Sequence, residues 1–213
     1  MRKLLADPKQ KDYRTFRFHI LMANPPFAGD IKQTDMLSPY ELARKLNGRL
    51  ETKVGRDLLF IERNLDFLCP GGRMAIVLPQ GRFNNMSDRR VREFIAERCR
   101  ILAVVGLHLN TFKPHTGTKT SVLFVQKWND DPVAGPLCPK VDDYNIFFAT
   151  QRLPSKDSSG EKIFVKDMDG NPLRDSHGHW VVQHDLFNHE GLTQDGISEA
   201  FAEFVKKEGL SFF

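Results

Sequence analysis

The stretch GRDLLFIERNLDFLCPGGRMAIVLP, residues 55–79, decides the fold. Its first part carries apolar residues at spacings of three and four, the pattern of one helix face, at Leu58, Ile61, Leu65 and Leu68. CPGG at 69–72 is expected to end this helix, because proline and paired glycines do not continue a helical turn. RMAIVLP at 73–79 is short and almost continuously apolar, which is typical of a strand buried on both faces.

The same alternation extends to both sides of this stretch. The runs FRFHILMA (16–23), ILAVVGL (101–107) and KTSVLFVQKW (119–128) are predicted strands. A short helix is predicted over 39–47, stopped by Gly48. Ser87 is predicted to cap a second long helix, whose buried side would consist of Val91, Phe94, Ile95 and Cys99.

Alternating strands and helices indicate an α/β fold with a parallel sheet and right-handed crossovers. The last two predicted strands are separated by only about ten residues (108–118), too few for a helical crossover. They are therefore expected to form a hairpin, which adds one antiparallel strand to the parallel sheet.

The character of the sequence changes near residue 130. The later part contains many prolines and polar turns, a predicted strand at 145–150, a predicted hairpin within 167–180 and an amphipathic tail helix over 197–210. No internal repeat is evident. We predict a division into residues 1–130 and a mixed C-terminal extension, 131–213.

Composition excludes several classes of protein. The chain has 213 residues, a net charge of +4 and no apolar stretch long enough for a membrane span, and its three distant cysteines favour a reducing cytoplasm. Three distant cysteines favour neither a disulfide framework nor a zinc site. No metal site is predicted, since the spacing of His177, His179, His184 and His189 matches no common zinc pattern.

The segment LMANPPFAG, residues 21–29, combines an apolar strand with an abrupt polar end. A strand that leaves the carboxyl edge of a parallel sheet points to the crevice where α/β folds bind ligands. The two prolines keep Asn24 extended, so its side-chain oxygen and the Pro25 carbonyl can act as two acceptors, with Phe27 presenting a ring face. Two such acceptors would hold a planar amine, such as the amino group of a nucleobase out of its duplex. A plain turn at a strand end is the alternative.

With this motif and the ordered series that follows it, the chain resembles the adenine-N6 DNA methyltransferases, specifically the methylase subunit of type I restriction–modification systems. The family motif Asn-Pro-Pro-Phe corresponds to Asn24, Pro25, Pro26 and Phe27, and the segments 55–83 and 91–127 follow in the family's order. The resemblance implies a Rossmann-like sheet comprising strands four to seven, the last one antiparallel, with helices on both faces.

The resemblance also implies a chemistry and a set of partners. S-adenosylmethionine would supply the methyl group and contact Asn24, and Asn24, Pro25, Pro26 and Phe27 would form the catalytic motif. DNA would be contacted by the loop between the last two sheet strands and by a basic segment, through Phe112, Lys113, His115, Thr116, Thr118, Arg44 and Lys45. Specificity and restriction subunits would be the protein partners. Ordinary solvated loops are the alternative for both DNA-contacting segments.

One departure from the family pattern is large. The family binds its cofactor through a glycine-rich loop, and this sequence contains no Gly-x-Gly. We therefore expect the chain to be the carboxyl half of the catalytic domain, with little activity of its own. The alternatives are a non-catalytic DNA-binding or assembly fragment, and a protein glutamine-N5 methyltransferase. The sheet edge left open would be a site for homodimer formation.

Overall fold

The structure is a computed structural model that describes residues 16–210. The strands in this part are β1 (Phe18–Ala23), β2 (Asp30–Ile31), β3 (Val54–Gly55), β4 (Leu68–Pro79), β5 (Cys99–Gly106), β6 (Thr120–Lys127) and β7 (Phe147–Thr150). The helices are α1 (Thr34–Leu37), α2 (Arg56–Phe67), α3 (Gly81–Asn84), α4 (Arg89–Arg98) and α5 (Ile197–Lys207), with a 3-10 turn at Met86–Asp88.

The main sheet has the strand order β1-β4-β6-β5-β7, and β2 pairs with β3 separately. β1 runs parallel to β4, with Ala23 opposite Ile76, and β5 runs parallel to β7. The Leu107 N–H, just after β5, donates to the Thr120 carbonyl at the start of β6 (2.9 Å). The end of one strand thus lies beside the start of the next, as in an antiparallel pair. The predicted α/β sheet with a late hairpin strand is confirmed.

Helix α2 confirms the helix predicted over 55–68. Of the predicted face, Ile61 and Leu65 are buried, Leu58 is half-buried, and Leu68 is buried but belongs to β4. Leu59, which was not predicted, is buried as well. Its last turn is capped from β6, because the Lys127 ammonium donates to the carbonyls of Leu65 (2.8 Å) and Leu68 (3.0 Å). Burial lowers the pKa of this ammonium.

The helix ends just before the CPGG segment, as predicted, and the segment itself forms strand. The chain passes directly from α2 into β4, which begins at Leu68. Gly71 adopts a positive φ of 70°, and a Cβ there would overlap the Pro136 carbonyl. The glycine is therefore required by a close backbone approach within the strand.

The helix predicted over 39–47 is also wrong. The backbone N–H groups of Glu41 and Leu42 donate to the Glu62 carboxylate at 2.7 and 2.8 Å, which holds this segment in turns. Gly48 has a φ of 79° next to a bridge between Arg44 and Leu50. Burial raises the pKa of Glu62 despite these two hydrogen bonds.

The predicted helix cap at Ser87 is wrong as well. Ser87 lies inside the 3-10 turn, and α4 begins two residues later at Arg89. Asp88 occupies the capping position without a side-chain capping bond, because its carboxylate binds Arg82 instead. The buried face of α4 is as predicted, with Val91, Phe94 and Ile95 inside.

The described residues divide into two compact units. The first contains the chain up to Leu102 together with Leu123–Tyr144, and the second contains Ala103–Val122 and the chain from Asn145 onward. The predicted division near residue 130 stays a prediction. Within residues 16–210, no helix has both the length and the apolar character that crossing a bilayer requires.

The second unit contains a short internal repeat that was not evident from the sequence. Three turns share the order basic residue, aspartate, two variable residues and glycine, at 156–162, 166–172 and 174–180. In each turn the aspartate carboxylate accepts backbone N–H groups of its own turn. The three glycines have φ between 81° and 102°. We call residues 155–183 the three-turn module.

The module closes on itself through its backbone. Leu173 donates its N–H to the Val165 carbonyl (2.8 Å), Val165 to Val181 (2.9 Å) and Val181 to Leu173 (2.9 Å). This ring of hydrogen bonds joins the segments that follow the three turns. The module is therefore held by backbone pairing as well as by the modest apolar core around the buried Val181.

Candidate active site

Asn24 lies directly after β1, at the carboxyl end of a strand that runs parallel to β4. Its side chain is exposed and makes no hydrogen bond to any residue in the part of the chain that the structure describes. Pro25 is buried, Pro26 is exposed and Phe27 is half-buried. The segment is thus anchored by one proline while the Asn24 amide stays available for a ligand.

Close to the start of α2, a buried ion network joins three elements. Arg82 in α3 donates to both carboxylate oxygens of Asp57 (2.6 and 3.1 Å) and to Asp88 (2.8 Å). Asp57 and Asp88 are buried, and Arg82 is about a quarter exposed. Burial acts to lower the pKa of Arg82, but its hydrogen bonds and proximity to the two carboxylates raise it overall. Sequence reasoning missed this network, because no local pattern joins residues 57, 82 and 88.

In the basic segment predicted to contact DNA, the charged side chains of Arg44 and Lys45 already bind neighbouring groups of the same loop. Arg44 donates to the Ser38 carbonyl (2.9 Å), and Lys45 pairs with Glu51 at 3.8 Å. The Arg56 guanidinium differs, because it has no hydrogen bond or ion pair with any of residues 16–210. It lies against Gly29, where an added Cβ would be 3.1 Å from its Nε. An available cation therefore lies beside the segment that carries Asn24.

Arg56 also borders a cavity of about 230 Å³ that the sequence did not predict. Its other lining residues are mostly apolar or aromatic and include Ile31, Met36, Tyr40, Leu59 and Phe60. On one wall, Arg63 donates to the Tyr40 hydroxyl at 2.8 and 3.1 Å. The cavity combines aromatic surface with the available cation.

The second predicted DNA segment, the loop of residues 108–118, lies in the second unit. Phe112, Lys113 and Thr116 are half-buried, while His115 and Thr118 are exposed. The hydroxyls of Thr116 and Thr118 are 2.9 Å apart. The structure therefore brings these five predicted residues together in one loop that presents polar groups to solvent.

The described residues do not form a complete binding site for S-adenosylmethionine, the cofactor that the resemblance implies. The buried acidic side chains near the start of α2, Asp57 and Asp88, are bound to Arg82 and are not available for a ribose. Gly81, which follows β4, faces the Asn85 amide, which would be 2.9 Å from an added Cβ. The residues present fit the acceptor side of a methyl-transfer site better than a cofactor cradle.

No group of three or more potential ligand side chains between residues 16 and 210 is arranged to hold a metal ion. The nearest approach to a histidine cluster is in the second unit, where the ring centroids of His184 and His189 are 4.6 Å apart. Phe187 packs against both rings, at 4.4 and 5.0 Å.

Comparison with known proteins gives three kinds of match. The profile of the N-6 DNA Methylase family matches residues 2–204. The methylase subunit of the type I restriction enzyme EcoEI from Escherichia coli is 28% identical over 109 residues, covering 51% of this chain and 21% of that protein. The methylase subunit of EcoKI from E. coli strain K12 is 27% identical over 140 residues, covering 64% of this chain and 24% of that protein. The chain thus spans less than a quarter of the length of either relative.

Solved structures match at the level of the fold. A putative class I S-adenosylmethionine-dependent methyltransferase from Listeria monocytogenes superimposes with a TM-score of 0.51 at 21% identity, over 63% of this chain and 37% of that one. A chain from a study of complex assembly in a type I restriction–modification system gives a TM-score of 0.50 at 23% identity, over 70% of this chain and 27% of that one.

Proposed function

The chain belongs to the N-6 DNA methylase family, and from this premise we propose that it supplies the acceptor-binding part of a type I restriction–modification methyltransferase. The reaction is transfer of a methyl group from S-adenosylmethionine to N6 of a flipped adenine in DNA. The observation that carries the proposal is Asn24, exposed and without a described hydrogen-bond partner, placed between a parallel strand and Pro25-Pro26-Phe27.

Asn24 acts on the acceptor nitrogen rather than as a base. The amino nitrogen of adenine is a weak nucleophile, because its lone pair is delocalised into the ring. The Asn24 side-chain oxygen and the Pro25 carbonyl accept its two hydrogens and stabilise the positive charge that develops on nitrogen. The methylated amine then releases one proton to solvent. Phe27 stacks on the base once it has left the duplex.

The basic residues have unequal parts in this proposal. Arg56 makes the main phosphate contact near the active site, because its guanidinium is available and lies beside Gly29. Lys113, His115 and Thr118 contact DNA from the loop of residues 108–118, with Phe112 and Thr116 supporting them. Arg44 and Lys45 make secondary contacts, since their charged groups already bind the surrounding loop. Phosphate contacts of this kind position DNA without reading its sequence, which we assign to a separate specificity subunit.

We further propose that this chain alone binds S-adenosylmethionine weakly and methylates little. The support is the absence of Gly-x-Gly from the 213 residues and the occupation of Asp57 and Asp88 by Arg82. Calorimetric titration of the chain with the cofactor is expected to show no binding at micromolar concentration. Micromolar binding would contradict this part of the proposal.

An assembly role is the second candidate, favoured by the surface of β1. Phe16, Phe18, Ile20 and Met22 alternate along the chain, so they share one face, and each is at least 41% exposed. β1 is also at one end of the strand order among the described residues. We propose that this face receives a cofactor-binding half of the enzyme, with a homodimer as the alternative. If Ile20→Lys leaves both association with such a half and self-association unchanged in sedimentation, the assembly role is wrong.

The enzymatic proposal is tested by joining this chain to a cofactor-binding half from a type I methylase subunit. We expect the joined protein to place a radiolabelled methyl group on adenine N6 of DNA. Label on glutamine of a protein substrate would support the glutamine-N5 alternative, which the names of the two curated relatives do not favour. Absence of label from both, with cofactor binding intact, would leave only the assembly role.

A further inference from the structure

The three turns of the three-turn module have nearly the same backbone but different surroundings. A Cβ added to Gly170 or Gly178 would meet no atom within 4 Å. A Cβ added to Gly160, in the first turn, would lie 2.7 Å from both the backbone nitrogen and the Cδ of Pro114. The first turn therefore packs directly against the loop of residues 108–118, without room for a side chain.

Two hydrogen bonds join the same turn to the same loop. The Lys156 ammonium donates to the Lys113 carbonyl at 2.9 Å, and the Asn110 side-chain amide donates to the Lys156 carbonyl at 3.0 Å. The first bond joins residues that are 43 positions apart in sequence, and the second joins residues that are 46 positions apart. They hold the backbone of the loop and leave the Lys113 ammonium and the His115 ring unengaged by the module.

The start of the loop is held from the segment that precedes the module. The buried Gln151 accepts the His108 N–H at 3.0 Å and donates to the Leu153 carbonyl at 2.9 Å. The loop is thus tied at its beginning and near its middle by residues between 151 and 160. Its exposed side chains face solvent from a backbone that is fixed at both places.

We propose that the first turn of the module is a positioning device for the loop of residues 108–118, with Lys156 and Gly160 as its positioning residues. Lys156 uses its charge on a backbone carbonyl, and Gly160 supplies the space for Pro114. The device rests on the proposed function, because it prepares the loop to meet the DNA backbone. The other two turns have no part in it.

The module provides its own matched controls. Gly160→Ala, Gly170→Ala and Gly178→Ala all place alanine at a positive φ, so the backbone strain is comparable in the three variants. Only Gly160→Ala also collides with the loop. We expect hydrogen exchange of the loop amides to rise by about tenfold in Gly160→Ala and to be unchanged in the two controls.

DNA affinity, measured by fluorescence anisotropy with a short duplex, should fall by about tenfold in Gly160→Ala and by less than about twofold in the controls. Lys156→Met should reproduce both effects without any change at a glycine. Lys156→Arg should show both effects more weakly, because it keeps a donor for the Lys113 carbonyl. A merely structural role would lower the melting temperature of all these variants without this selectivity.

The two measurements separate the inference from the proposed function. Faster exchange in the loop with unchanged DNA affinity would support positioning by the module and contradict the role of the loop in DNA binding. Equal loop exchange in Gly160→Ala, Gly170→Ala and Lys156→Met would overturn the positioning device, whatever the affinity for DNA.

Discussion

Two of the segments proposed to meet DNA, Asn24–Phe27 and the loop of residues 108–118, are held in different ways. In Asn24–Phe27, the buried Pro25 fixes the backbone, and the Asn24 amide has no hydrogen-bond partner among residues 16–210. The loop of residues 108–118 depends on residues far along the chain, because Gln151, Lys156 and Gly160 hold its backbone. The first segment is stiffened by its own prolines, and the second is held by residues remote in sequence.

This difference indicates which mutations should affect chemistry and which should affect shape. A change at Asn24 should reduce methyl transfer and leave folding unaltered. A change in the supports of the loop should alter loop order first and DNA binding as a consequence.

Asn24→Ala, in the protein joined to a cofactor-binding half, should lower the rate of methyl transfer by roughly 10²- to 10³-fold, the usual loss when one preorganised polar partner of a transition state is removed. Its melting temperature should not change, since Asn24 is exposed and forms no described hydrogen bond. Asn171→Ala, at an exposed turn of the module, is the matched control and should alter neither quantity. A large loss of stability in Asn24→Ala would contradict the view that Asn24 takes no part in holding the fold.

Arg82→Met tests whether the first unit also depends on remote support. It leaves the buried Asp57 carboxylate without its partner, which should lower the free energy of unfolding by about 3 kcal/mol. Urea denaturation measures the loss. Arg89→Met, which removes only an exposed pair with Glu93, should cost less than about 0.5 kcal/mol. Similar losses in the two variants would show that the Arg82 network is not a structural anchor.

Gln151→Met removes the acceptor of the His108 N–H at the start of the loop. A half-buried donor left unsatisfied should cost about 1 kcal/mol, and exchange of the loop amides should increase. Gln183→Met is a control, because that side chain makes a longer bond of 3.3 Å to Pro154. A loop that exchanges at the same rate in Gln151→Met and the original protein would break the contrast between the two segments.

Glu62 should make stability depend on pH. Because burial raises its pKa in the folded protein, the fold retains a proton that the unfolded chain releases. Its contribution is therefore fully present below the ordinary carboxyl pKa and is lost as pH rises through the folded pKa. Urea denaturation at a series of pH values from the ordinary carboxyl pKa upward should show this decline, and Glu62→Gln should remove it at a cost of about 1 kcal/mol. If the free energy of unfolding of Glu62→Gln declines with pH in the same way, another group causes the pH dependence.

The sheet could be predicted from the sequence because its signals are local. Apolar runs identified β1, β4, β5 and β6, and the short connection between the last two predicted their hairpin. The family and its fold were predicted from Asn-Pro-Pro-Phe and the ordered segments after it, and both are confirmed. The roles of Asn24, Pro25, Pro26 and Phe27 stay predictions.

The errors arise where distant groups override local preference. The Glu62 carboxylate captures two backbone donors of the helix predicted over 39–47, and Asp88 binds Arg82 instead of capping α4. The repeat was missed because its turns share only a basic residue, an aspartate and a glycine, at unequal intervals. Their common hydrogen bonds become apparent only in three dimensions.

The central claim is that the Asn24 oxygen and the Pro25 carbonyl hold the amino group of a flipped adenine. The most direct test compares the affinity of this chain for two duplexes, each with one unpaired purine, adenine in the first and a purine without the exocyclic amine in the second. A site built for the amine should prefer adenine by about tenfold, and Asn24→Ala should abolish the preference while Asn171→Ala retains it. Equal affinity of the unaltered chain for the two duplexes, or an undiminished preference in Asn24→Ala, would contradict the account.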